Sequence, residues 1–278
     1  MLSVVAFGTN RYTIVHAKIG EIMRLVILFC FIGMLSGILN GLTSIGGSLL
    51  ASFSLIIGPP LLGDVPLSMV AVGAYTAGVS LASAGSSFLL HWRRHRISIK
   101  NVLVLGIPAL LGSVAGTRLA FGLSNAVLRF TLTVALIATM GFFLRPLHRT
   151  EHQSWWHVPF SILLGLLIGV FGGVLGVGAG FLFLPVYVGI VGYPIREAII
   201  YSLGAGILIT VTSLLMRSVT LTLPWGELAG LMICSVGGAQ IGVIANSRSS
   251  ERSLKRVILT VLLAITIDMI IKIIMLWK

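Results

Sequence analysis

The chain has 278 residues, 57% of them hydrophobic and 9% charged, with a mean hydropathy of +1.08. A soluble domain carries about a quarter charged residues, so composition excludes that class and reads as an all-α polytopic membrane protein. The net charge of +12 sits in short segments between apolar runs, where it orients the chain and meets anionic headgroups of the bilayer. No basic patch is interleaved with aromatic residues, so nucleic acid is not an expected partner.

The segment Met1 to Gly20 lacks the compact apolar core of a signal peptide. Residues 1–22 are read as an N-terminal extension, with Met23 as an alternative start. A first apolar span covers about Met23–Asn40, and a second run about Ser48–Leu62, closed by Gly58-Pro59-Pro60 and Gly63-Asp64-Val65-Pro66. A third span, about Leu67–Leu90, stops at the basic loop His91-Trp92-Arg93-Arg94-His95-Arg96. The fourth and fifth cover about Val102–Phe121 and Ala126–Leu144. The polar stretch 146–157, with Arg149 and Trp155-Trp156, reads as a linker.

The pattern then recurs. A sixth span, about Val158–Leu175, is followed by a short run, Phe181–Val191, that ends at Gly192-Tyr193-Pro194. An eighth span covers about Ala198–Met216 and a ninth runs from Pro224 to about Ala245. A polar loop, Asn246–Arg256, precedes a tenth span, about Val257–Leu276. Two glycine-rich stretches interrupt the first and sixth spans. Laid over each other without a gap, Gly37 falls on Gly169, Gly41 on Gly173 and Gly46 on Gly178, while Ser44 and Ser48 fall on Gly176 and Gly180. Gly112-Ser113-Val114-Ala115-Gly116 likewise matches Gly238-Ala239-Gln240-Ile241-Gly242, and Ser124, Leu128 and Arg129 match Ser250, Leu254 and Lys255. Each half (23–145 and 158–278) therefore holds five apolar segments, and an odd number makes the halves inverted repeats.

Alternating crossings put eleven basic residues on one side, including the clusters at Arg93–Lys100 and Arg248–Arg256, against eight on the other, Arg217 among them. The side with the dense clusters is read as cytoplasmic. This arrangement places the chain in the cell's inner membrane, with both termini outward.

Breaks in an apolar helix are costly unless the freed backbone lines a cavity or is buried in protein, and paired breaks in two halves mark a transporter's binding site. A helix that restarts presents unpaired N–H groups and the positive end of its dipole. Glycine lets a small anion approach those groups. The restarts at Gly46-Gly47-Ser48 and at Gly176, Gly178, Ala179 and Gly180 are therefore candidate substrate contacts, with donors from Asn40, Thr43 and Ser44. The plainer alternative is that these glycines only allow close helix packing. Arg118 is a further candidate, set against snorkelling to headgroups. Gln240, deep in the ninth span, is either helix glue or a ligand contact. Asp268, the one acid deep in a span, is either a proton-coupling carboxylate or the partner of Lys272 one turn on.

At the paired glycine motifs the chain resembles the sulfite exporter (TauE/SafE) family of membrane permeases. The second copy carries the resemblance best: Gly172-Gly173-Val174-Leu175-Gly176-Val177-Gly178-Ala179-Gly180-Phe181, then Pro185, Pro194, Ala198 and Ser202. The resemblance spans nearly all of the chain after Met23 and adds Ser202 to the candidate site. Ala179, Ser44 and Ser48 stand where the family has glycine, and Phe53 where it has proline. It implies export of sulfite, an organosulfonate or a related small anion.

An intramembrane enzyme would need a base or metal ligands inside the spans. All six histidines lie in the tail or loops, and Cys30 and Cys234 lie in separate spans, so neither enzyme chemistry, a metal, a cofactor nor a disulfide framework is expected. No Walker motif supports ATP drive. A channel should carry polar stripes along several spans, whereas polarity here concentrates at the breaks. The expected function is a secondary transporter of a small oxyanion working by alternating access. Uptake of another anion and a channel or structural role are the alternatives, and a homodimer is allowed.

Overall fold

A computed structural model describes residues 27–61, 67–94, 98–144, 158–178 and 180–276. The expected extension (1–22), the linker (146–157) and Ala179 lie outside them. Among the described residues the chain is wholly helical: α1 (Ile27–Thr43), α2 (Gly46–Leu61), α3 (Met69–Arg94), α4 (Ile99–Gly122), α5 (Asn125–Leu144), α6 (Val158–Leu175), α7 (Gly180–Gly189), α8 (Ile195–Thr220), α9 (Trp225–Arg248) and α10 (Glu251–Leu276). Five of these, α3, α4, α5, α8 and α9, are long and apolar enough to cross a membrane. The ten residues of α7 rise only about 15 Å, half of a ~30 Å hydrocarbon layer.

Three helix starts follow capping chemistry more closely than apolarity. Ser68, Ser124 and Ser250 each accept from the N–H three residues on, at the starts of α3, α5 and α10, which satisfies one orphan donor at each terminus. Ser124 and Ser250, matched by the repeat, thus do the same work, and Leu128 and Leu254 are both buried. Three expected boundaries are corrected. The basic segment from His91 to Arg94 is helical, α2 runs past Gly58-Pro59-Pro60 to Leu61, and Ser249-Ser250 alone separates α9 from α10. The expected loop Asn246–Arg256 is therefore mostly helix. A helix leaving the hydrocarbon no longer needs apolar residues, and Glu, Arg and Lys are strong helix formers.

The helices α3 and α8 are the centre of the bundle: two thirds of each apolar window is buried, against 39–44% for α4, α5 and α9. They pack on each other; α3 also packs on α9 and α2, and α8 on α4 and α7. Outside them α5 packs on α10, α7 on α5 and α2 on α10. Exchanging each helix with the one five places later maps these pairings onto one another. Large apolar residues such as Leu111, Phe130, Leu163 and Ile233 stay exposed. That exterior suits lipid rather than water.

Two helix pairs, α1–α9 and α4–α6, are packed to backbone contact. The glycines of α1 and α9 interleave: a Cβ on Gly37 or Gly41 would meet the carbonyl of Ser235 or Ala239, and one on Gly238 or Gly242 that of Met34 or Ile38. The α4–α6 pair repeats this, with Gly112 and Gly116 against the carbonyls of Leu166 and Val170, and Gly169 and Gly173 against those of Ala109 and Ser113. Small residues let membrane helices approach to backbone contact. The packing account thus holds for the leading glycines of each motif.

Candidate functional site

The trailing residues of each motif form the breaks. In the first, Ser44 has φ +61° and its N–H closes on Asn40 O at 2.9 Å; in the second, Gly176 has φ +67° and its N–H closes on Gly172 O at 2.9 Å. Both are left-handed residues just past a helix C-terminus, at positions that the ungapped alignment of the motifs superposes. Glycine adopts this conformation freely, whereas serine does so at a cost. The chain then restarts as α2 at Gly46 and as α7 at Gly180.

Each break frees backbone carbonyls, and side chains from neighbouring helices bond them. Asn246 of α9 donates to Leu42 O at 2.7 Å. In the second break the Arg217 guanidinium of α8 donates through Nη2 to Gly173 O and Val174 O at 3.0 and 3.1 Å, and through Nη1 to the Ser213 hydroxyl. Thr117 also donates to Gly173 O, and Thr76 to Gly176 O. Arg217 is wholly buried, so the reading of it as a charge at the membrane surface is corrected. Sequence position near a span end concealed it: arginine there reads as snorkelling, but here the open carbonyls of α6 supply a partner inside the protein.

The two breaks meet. A Cβ at Gly180 would collide with the Ser44 carbonyl, with the Ser44 hydroxyl 2.8 Å away. Gly178 rests against Ser80 and Thr210, Gly176 against Gly73, and Gly206 against the Gly178 carbonyl. The central helices α3 and α8 thus flank the junction. Both carry buried polar stripes: Thr76, Ser80, Ser83 and Ser87 on α3, and Ser202, Thr210, Ser213 and Arg217 on α8. The expectation that polarity concentrates at the breaks alone is corrected by these stripes. The spacing of three or four residues on α3, and of eight, three and four on α8, was legible in the sequence.

The candidate residues divide. Asn40, Thr43, Ser44, Ser48 and Ser202 are buried. Asn40 donates to Ser83 at 2.6 Å and Thr43 to Leu39 O at 2.8 Å, while the Ser48 carbonyl accepts from Ser52. Ser44 Oγ and Ser202 Oγ are buried with no hydrogen-bond partner among the described residues. Gly47 packs on Asn40 and Ser36 O. Arg118 and Gln240 are not brought to the junction. Both are exposed, beside neighbours (Thr117; Gly238 and Ala239) that are buried. Asp268 is half-buried on α10, a helix that packs on α5 and α2; the Lys272 side chain is outside the described residues. No three metal-ligating side chains cluster among the described residues.

Beyond the junction, Tyr187, Tyr193 and Tyr201 stack with ring centroids 4.7–6.3 Å apart, and Tyr187 donates to Asn101 O at 3.0 Å. Burial, then Tyr201 and Glu197, push the Tyr193 phenol in the α7–α8 connection up to about 12. It stays neutral, accepting from Asn101.

An apolar exterior around two interrupted helices that meet inside is the architecture of a multi-pass membrane transporter. The chain belongs to the sulfite exporter TauE/SafE family, whose model matches residues 29–269 and encloses both interruptions. It is 28% identical over 177 residues to a "probable membrane transporter protein" of Sinorhizobium sp, covering 62% of this chain and 65% of that relative, just under two thirds of its length. Proteins with the same description match in Methanocaldococcus jannaschii (27% over 187 residues; 66% of this chain, 69% of the relative) and Bacillus subtilis (28% over 263 residues; 83% and 94%). All three carry transporter names, not enzyme names.

Proposed function

We propose that the protein is a secondary transporter that exports a small oxyanion, sulfite or an organosulfonate, across the cell's inner membrane. It works by alternating access of two inverted five-helix halves around the junction of the breaks. The observation that carries this reading is the contact between Gly180 and Ser44, which sets one restarting helix beside the buried Ser44 hydroxyl, without a hydrogen-bond partner among the described residues. The restarting helices offer N–H groups and positive dipole ends, and Ser44 and Ser202 add hydroxyl donors. A pyramidal or tetrahedral oxyanion needs several such donors and no obligatory paired cation. Asp268 is the candidate coupling carboxylate, the acid nearest the middle of a span.

Reconstitution in liposomes tests this. Wild type should take up labelled sulfite or an alkanesulfonate down an imposed gradient, and Asp268→Asn should lose only the stimulation by a pH gradient. No movement of either anion by wild type, under any gradient, would reject the substrate assignment.

A further inference from the structure

We propose that Arg217 makes the second interruption the anion-holding one of the pair, by cancelling the negative end of α6 with a full positive charge. The inference deepens the proposed function and rests on it for the identity of the site. The C-terminus of a helix carries about half a negative charge on its open carbonyls. At both breaks this negative end lies within a few residues of the restarting, positive end, so an anion held at the restart is repelled by the helix that has just stopped. The breaks answer this differently. At the first, a neutral amide, Asn246, bonds Leu42 O. At the second, a guanidinium bonds Gly173 O and Val174 O. Arginine keeps its charge when buried, and no carboxylate pairs with Arg217 among the described residues. Its Nε, against Gly73, has no acceptor there either. A buried charge without a counter-ion is expensive, and a bound anion offsets that cost.

A second feature points to the same place. The Ser44 hydroxyl, buried and without a hydrogen-bond partner among the described residues, lies beside Gly180, the first residue of α7. Arg217 acts through the carbonyls it caps, so it is a positioning residue rather than a substrate contact.

The test compares wild type, Arg217→Lys and Arg217→Gln in liposomes, with sulfite at alkaline pH (largely a dianion) and ethanesulfonate (a monoanion). Arg217→Gln gives the second break the neutral kind of cap found at the first. It should raise KM for sulfite about tenfold or more, with a smaller rise for ethanesulfonate, because the lost interaction scales with substrate charge. Arg217→Lys, which keeps the charge and loses the fork, should stay within about threefold of wild type. Thermal stabilisation of the detergent-purified proteins by the two anions and by sulfate gives a readout independent of transport. Wild type stabilised by any of them while Arg217→Gln is not supports the inference, even if sulfite is not transported and the substrate assignment fails. Equal KM values for wild type and Arg217→Gln would overturn it while leaving the proposed function intact. So would a Lys variant as impaired as a tenfold loss, which alone decides if the Gln variant does not fold. Wild type stabilised by none of the anions overturns it as well.

Discussion

Gly180, the first residue of α7, lies so close to Ser44 that a side chain there would press on both the carbonyl and the hydroxyl oxygen of Ser44. The two interruptions, more than a hundred residues apart in sequence, are one structure. Gly180→Ala should therefore act on both breaks at once, costing about 1–3 kcal/mol through overpacking and lowering uptake. Gly85→Ala on α3, where a Cβ meets nothing within 4 Å, should leave uptake unchanged. Equal behaviour of the two variants in the liposome assay would contradict the contact.

Ser44 offers a cleaner separation of fold from function. Its φ of +61° is a conformation in which a non-glycine residue loses about 1–2 kcal/mol. Ser44→Gly removes that strain together with the hydroxyl. The variant should melt at or above the wild-type temperature and bind the anion more weakly. A lower melting temperature would mean that the hydroxyl holds the fold instead.

Adjacent glycines on α9 should respond in opposite ways. A Cβ at Gly237 meets open space, whereas one at Gly238 collides with the Met34 carbonyl. Gly237→Ala should stabilise by up to about 1 kcal/mol from helix propensity. Gly238→Ala should destabilise, by prising α1 from α9. Thermal melting of the purified variants measures both.

The same interface carries two thiols. Cys30 of α1 and Cys234 of α9 are free thiols on these two packed helices, and Gly33, one turn from Cys30, lies against Cys234. A mild membrane-permeant oxidant should convert the pair to an intramolecular disulfide, seen as loss of maleimide labelling that reductant reverses. Cys30→Ser should abolish the protection. Full labelling after oxidation would contradict the close approach of α1 and α9 at these thiols.

How much of this was readable beforehand depends on the kind of signal. The breaks were legible because glycine clusters recur at matching places inside two apolar runs, and the ungapped alignment that put Ser44 on Gly176 paired two residues of the same left-handed conformation. The start of α10 was missed because its first turn is charged, although Ser250 three residues before Ser253 is a capping signal. Arg217 was missed for a different reason. Nothing local distinguishes an arginine that snorkels from one that turns inward. The difference is made by the Gly173 and Val174 carbonyls, 44 and 43 residues away in the chain. Arg118 and Gln240 show the converse: each sits beside buried small residues yet is itself exposed.

Arg118 also gives a negative expectation. Because it is exposed while its neighbour Thr117 bonds the second break, Arg118→Gln should transport like wild type and Thr117→Val should not. Comparison of initial uptake rates checks the pair, and the reverse order would return Arg118 to the site.

The most direct test of the central claim, that a small oxyanion is held where the two breaks meet, is labelled-sulfite uptake into liposomes by wild type, Ser44→Gly and Gly237→Ala side by side. The account predicts uptake by wild type and Gly237→Ala, and a raised KM in a well-folded Ser44→Gly. Sulfite uptake that is indifferent to Ser44→Gly would contradict it, and would leave the paired breaks as a device for packing alone.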